Sequence, residues 1–140
     1  MAATPPGTAF DAVYPATPTL VAQIRHDVSS VATGFGADAA ALLRINLAVS
    51  EAATNAILHA YRNGRPSGDV HVFVQHADEF LDVSICDSGV GMSPRADSPG
   101  LGLGLGLMAH ETHSFEVRSS PQGGTEVVLR FQLEGPVGSD

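Results

Sequence analysis

The chain contains no lysine; its seven basic residues are all arginines. A P-loop needs a lysine at the β- and γ-phosphates of its nucleotide, and a eukaryotic-type protein kinase needs one on a strand. Both are excluded, and Schiff-base chemistry goes with them. Cysteine is nearly absent: Cys86 alone can form neither an internal disulfide nor a metal cluster. The six histidines are scattered without zinc-like spacing. No apolar run approaches the length of a bilayer span. The opening "MAATPPGTAF" lacks the basic and apolar regions of a secretion signal. A cytoplasmic protein without membrane attachment is expected. Basic charge is scarce, and a net charge of −8 argues against a direct nucleic-acid partner.

What is present suits one globular domain: 140 residues, 44% of them apolar, enough for one core. Residues 1–8 are Pro/Gly/Thr/Ala-rich and read as a flexible tail, 9–133 as the folded domain, and 134–140 as a second tail. "AFDAVYPA" reads as a short edge strand closed by Pro15. A first helix carries Leu20, Ile24, Val28 and Val31 at helical spacing, with a threonine cap before Pro18 and an end near Gly34. Asp38 caps a long helix to about Arg62, stopped by "NGRP". Val70, Val72 and Val74 alternate on one strand face, and Leu81, Val83 and Ile85 on the next. Residues 88–101 read as a loop. A further helix starts within the following glycines and runs to about His113, and "SFEVRSS" and "GTEVVLRFQL" form a last hairpin. Cys86 reads as a small core residue. The order β-α-α-β-β-loop-α-β-β gives an α+β, two-layer sandwich: a mixed, mostly antiparallel sheet covered by helices on one face.

On the long helix, Ile45, Val49, Ala53, Ala56, Ile57 and Ala60 share one face. Glu51, Asn55 and His59 form an i, i+4, i+8 row roughly opposite. A solvated face explains such a row. Leu47 and Leu58, however, flank Glu51 on its own side and set it in partly apolar surroundings. An Asn oxygen and a water-bridging carboxylate are suitable hard ligands for Mg²⁺. In "ICDSGVGM", Asp87 ends a strand, and Gly89 and Gly91 follow. A plain turn would use these residues. So would a flat base lying against bare backbone, its exocyclic amine donating to the carboxylate.

The run "GLGLGLGL", residues 100–107, is costly anywhere regular, since each helical glycine costs roughly 1 kcal/mol relative to alanine. Bare N–H groups at a helix start form an anion site. Gly102, Gly104 and Gly106 would open that backbone to phosphates, while Leu101, Leu103, Leu105 and Leu107 anchor the segment. G-x-G-x-x-G fails at every register. Its alanine variant, Gly104, Gly106 and Ala109, follows a Pro-rich loop rather than a strand.

Taken together and in order, "SEAATNAILHAY", "DSGVGM", "GLGLGLM" and "GGTEV" resemble the boxes of the Bergerat-fold ATPases: gyrase, the ninety-kilodalton heat-shock chaperone and the catalytic domain of histidine kinases. The resemblance spans roughly residues 16–133 and is closest to the anti-sigma factor serine kinases of bacteria. It implies an ATP- and Mg²⁺-binding serine/threonine protein kinase that sequesters a sigma factor, phosphorylates an antagonist protein and forms a homodimer. It also implies roles: Glu51 as general base, Asn55 as the Mg²⁺ ligand, Asp87 on the adenine amine with Gly89 and Gly91 beside it, and Gly102, Gly104 and Gly106 along the phosphates. Thr125 would sit near the adenine, and Arg25 falls near a partner-contacting arginine of the family. Two features depart from the pattern. Leu105 and Leu107 make the second glycine box more apolar than the motif requires, and the short lid, 92–100, carries Arg95 but no lysine. Two other readings stay open: a nucleotide-switched binding module that transfers no phosphate, and a stand-alone histidine-kinase catalytic domain.

Overall fold

A computed structural model describes residues 8–62, 65–66, 68–87, 106, 109–119 and 124–133. The elements run β1 (Thr8–Pro15), α1 (Leu20–Gly34), α2 (Ala39–Ala60), β2 (Tyr61–Arg62), β3 (Arg65–Pro66), β4 (Asp69–Ala77), β5 (Phe80–Asp87), β6 (Ser114–Ser119) and β7 (Thr125–Gln132). Gly106 and residues 109–111 are also helical, as expected. Five strands form one sheet in the order β1-β4-β5-β7-β6. Every described neighbour pair in it is antiparallel, so the expected mixed character is absent from the described strands. β2 and β3 form a separate two-residue ladder. That ladder ends α2 at Ala60, two residues before the expected Arg62.

Strand alternation sorts the sheet into two faces. Val70, Val72 and Val74 of β4, Leu81, Val83 and Ile85 of β5, and Val127, Leu129 and Phe131 of β7 point to the helices and are buried. Against them α2 turns Ala41, Ile45, Ala48, Val49, Ala52, Ala53, Ala56 and Ile57, all buried. Five of these are alanines, which let the helix lie close to the sheet. α1 packs beside α2 through Ile24, Val28 and Ala32. Burial of each Ile or Val contributes roughly 1.5–3 kcal/mol.

The helix ends differ in kind. Asp38 caps α2 as expected, its Oδ1 accepting from the Ala41 N–H at 2.9 Å. α1 lacks the expected threonine cap: Thr19 sits at its N-cap in αR conformation and makes no side-chain cap bond. A polar seam joins the helices instead, where Arg25 Nη1 donates to Ser50 Oγ at 3.0 Å and Ser29 Oγ donates to Asn46 Oδ1. Tyr14 Oη donates to Asp27 Oδ2 at 2.7 Å and so ties β1 to α1; burial, then Asp27, pushes this phenol far above its ordinary range.

The opposite sheet face carries no helix among the described elements. Arg130 makes a two-pronged pair with Asp82, at 2.8 and 2.9 Å, beneath the Phe80 ring. Arg118 pairs with Glu116 and Glu126. Cys86 lies on this outer face, half-buried opposite Glu126, and not in the core as expected. The reason is parity: the core face of β5 belongs to Leu81, Val83, Ile85 and Asp87, and Cys86 falls between the last two. Burial, and then Glu126, push its thiol up to about 12.

Candidate functional site

The helix-facing side of the sheet turns polar at one end. Asp87 closes β5 and Thr125 opens β7; both lie on the core parity of their strands, and both are buried, at 3% and 6% exposure. A carboxylate is not buried without polar compensation, and Asp87 has interaction partners in the fold. β5 and β7 pair in register up to Cys86 opposite Glu126, which brings the next residues together beyond the last rung. There Gly124 takes φ +94°. A Cβ built on it would overlap the Asp87 carbonyl oxygen and come within 3.0 Å of Asp87 Oδ1. Only glycine fits. Gly124 was not singled out in the sequence, although "GGTEV" contains it: a glycine before a strand reads as a turn until its distant neighbour is known.

The second part of the site stands on α2, which packs across β4, β5 and β7. Glu51 and Asn55 are one turn apart and half-buried, so these two members of the row are not freely solvated. Asn55 Nδ2 is buried and has no hydrogen-bond partner among the described residues. A buried amide left so costs about 1–3 kcal/mol, which a ligand would recover. A half-turn of the amide exchanges Nδ2 and Oδ1. The position can therefore offer a donor to a phosphate oxygen or a hard oxygen to Mg²⁺. No group of three His, Cys, Asp or Glu among the described residues is placed to hold a metal. A Mg²⁺ bound at Asn55 would take most of its oxygens from phosphates and water, its usual habit in nucleotide sites.

Of the other expected positions, Gly106 is exposed and helical, with nothing within 4 Å of a built Cβ. It tolerates a methyl group as far as the described neighbours go. Gly89, Gly91, Gly102 and Gly104, with the 92–100 lid, fall outside the described residues, as does the His59 side chain. Arg25 is held by Ser50, the residue before Glu51. His110 pairs with Glu111 at 2.7 Å, and the His113 ring leans on Phe80. A groove of about 670 Å³ lies on the outer sheet face, lined by Phe73, Ser84, Glu126 and Arg130 among others. Strand parity puts it on the far side from Asp87 and Thr125, so it is no part of this site.

The family model described as "Histidine kinase-like ATPase domain" matches residues 14–131. An anti-sigma F factor of Shouchella clausii is 36% identical over 103 residues, covering 66% of this chain and 70% of that protein. The serine-protein kinase RsbW of Bacillus subtilis is 31% identical over 134 residues, covering 86% and 83%. Among solved structures, the RsbU and RsbW domains of a Mycobacterium tuberculosis protein superpose with a TM-score of 0.67 at 23% identity, covering 91% of this chain and 33% of that one. The histidine kinase domain of a blue-light activated kinase from Erythrobacter litoralis superposes with a TM-score of 0.55 at 26% identity, covering 85% and 61%. The chain belongs to the histidine kinase-like ATPase family, in its branch of anti-sigma factors and serine-protein kinases.

Proposed function

We propose that this chain is an ATP- and Mg²⁺-dependent protein kinase that phosphorylates a serine or threonine of an anti-sigma factor antagonist and otherwise sequesters a sigma factor. The observation that carries the reading is the buried Asp87 with Gly124 folded onto its backbone. A buried carboxylate at a strand end, beside a backbone that carries no side chain at Gly124, suits a flat base whose amine needs an acceptor. The relatives named anti-sigma F factor and serine-protein kinase RsbW support the regulatory role.

In this reading Asp87 accepts from the adenine amine, with Gly89, Gly91 and Thr125 around the ring. Gly102, Gly104 and Gly106 line the phosphates. Asn55 holds Mg²⁺, which neutralises phosphate charge when bound. Glu51 acts on the acceptor: its carboxylate takes the hydroxyl proton as the oxygen bonds to the γ-phosphorus and the bond to ADP breaks. Arg25 contacts the partner, and the working form is a cytoplasmic homodimer.

Transfer of labelled phosphate from ATP to purified antagonist proteins tests this, with Glu51→Ala as comparison. Loss of a general base costs about 10²–10⁴-fold in rate. Equal transfer by parent and variant would refute the base assignment. No transfer by the parent would leave a nucleotide-switched binding module.

A further inference from the structure

The large apolar side chains exposed among the described residues are Val13, Phe35, Leu43, Leu47 and Leu58. Three of the five stand on α2, with Leu43 62%, Leu47 39% and Leu58 60% exposed. At about 100° per residue these leucines fall within roughly 60° of one another, on the side of α2 turned away from the sheet. Glu51 follows Leu47 by one turn on that side, with Leu58 beyond it. The leucines are absent from the buried core of the described residues, and Leu43 and Leu47, one turn apart, form an adjoining exposed apolar pair of the kind that marks a contact surface.

The charge beside this pair has a sign. Arg44 adjoins Leu43 on the helix, and Arg25 reaches over from α1 to Ser50. Among the described residues neither arginine is paired with a carboxylate, whereas Arg118 and Arg130 on the outer sheet face both are. In a chain of net charge −8, two cations without a carboxylate partner among the described residues flank the exposed Leu43–Leu47 pair. Complementarity asks for an apolar patch bordered by acidic side chains.

We propose that Leu43 and Leu47, with Arg44 beside them, form the docking surface for the phosphoacceptor protein, which presents an apolar patch with acidic neighbours next to its reactive serine or threonine. The inference rests on the kinase reading above. Position selects this occupant over a sigma factor or a second copy of the chain: a surface seated on Leu47 lies about 5–6 Å along the helix from Glu51. Docking there brings the acceptor hydroxyl to the proposed base.

The test uses the full chain with purified anti-sigma factor antagonists of the same genome, one at a time. Parent, the double variant Leu43→Ser/Leu47→Ser, and Arg44→Glu are compared for transfer kinetics, ATP affinity and sedimentation. All three positions project from the helix away from the core. Each variant should raise the KM for the antagonist at least tenfold, leave kcat at saturation within about twofold, and leave ATP affinity and oligomeric state unchanged. The Arg44→Glu effect should shrink with added salt. An unchanged KM with an active parent overturns the docking surface and leaves the kinase reading standing. Weakened ATP binding overturns it by assigning the leucines to the chain's own residues 88–105. A changed oligomeric state at unchanged KM overturns it in favour of a second copy. Absence of transfer by the parent to every antagonist ends the kinase reading and this proposal together.

Discussion

Gly124 is folded so closely onto Asp87 that a methyl group on the one would overlap the carbonyl oxygen of the other. This single approach sets the polar end of β5 against the start of β7. Gly124→Ala should therefore weaken fold and site together. A side chain at φ +94° is strained, at a cost of about 1–3 kcal/mol, and the overlap with backbone adds to it. Urea unfolding should show a loss of at least about 2 kcal/mol, and calorimetric titration a weakened ATP affinity. A variant as stable as the parent would mean that the strand ends move apart freely.

Asp87→Asn keeps the size of the side chain and removes its charge. A hydrogen bond to a charged group contributes about 1.5–3 kcal/mol. ATP and ADP should each bind about 10- to 150-fold more weakly, measured by calorimetry. GTP, which lacks the exocyclic amine at that ring position, should lose much less. Equal losses for both nucleotides would remove Asp87 from base recognition.

Asn55→Ala removes the amide whose Nδ2 is buried without a partner among the described residues. In the ligand-free protein the loss should be small, because an unpaired polar atom leaves with the side chain. In the presence of ATP, the thermal shift that Mg²⁺ adds for the parent should vanish. At 100 times Kd a ligand stabilises by about 2.7 kcal/mol. A variant that still gains stability from Mg²⁺ would place the metal elsewhere.

Burial, and then Glu126, raise the Cys86 thiol to about 12. Near neutral pH it should stay protonated and alkylate far more slowly than a free cysteine. The pKa is raised in the folded state, so its contribution to stability is complete below the unfolded value near 9 and is lost as pH rises towards 12. Cys86→Ser should flatten the alkaline limb of the stability profile. The Tyr14 phenol, raised in the same direction, keeps part of that limb in the variant. Thiolate absorbance during a pH titration reports Cys86 directly.

The sequence revealed what depends on local pattern. The alternation of Val70, Val72 and Val74 and the Asp38 cap needed only periodicity and a short polar side chain before a helix. Asp87 was visible as a carboxylate at a strand end. What stayed hidden depends on non-local contacts. Nothing local shows that Gly124 meets Asp87 or that Ser50 holds Arg25. Nor does a helical pattern reveal where tertiary structure stops α2, which gives way to the β2–β3 ladder at Ala60. Cys86 departs from expectation for a simpler reason: its apolar character suits the core, but its strand parity points outward.

The sheet order also shapes how the chain assembles. β4 with β5, and β6 with β7, are neighbours in both sequence and space. β1 pairs with β4 only after both α1 and α2 have been passed over. Joining β1 closes a long loop, whose entropy opposes the step until the helices have packed. β1 is also an edge strand, bonded on one side only. Amide protons of β1 should exchange with solvent by partial opening, well before those of β5, which has a strand on either side.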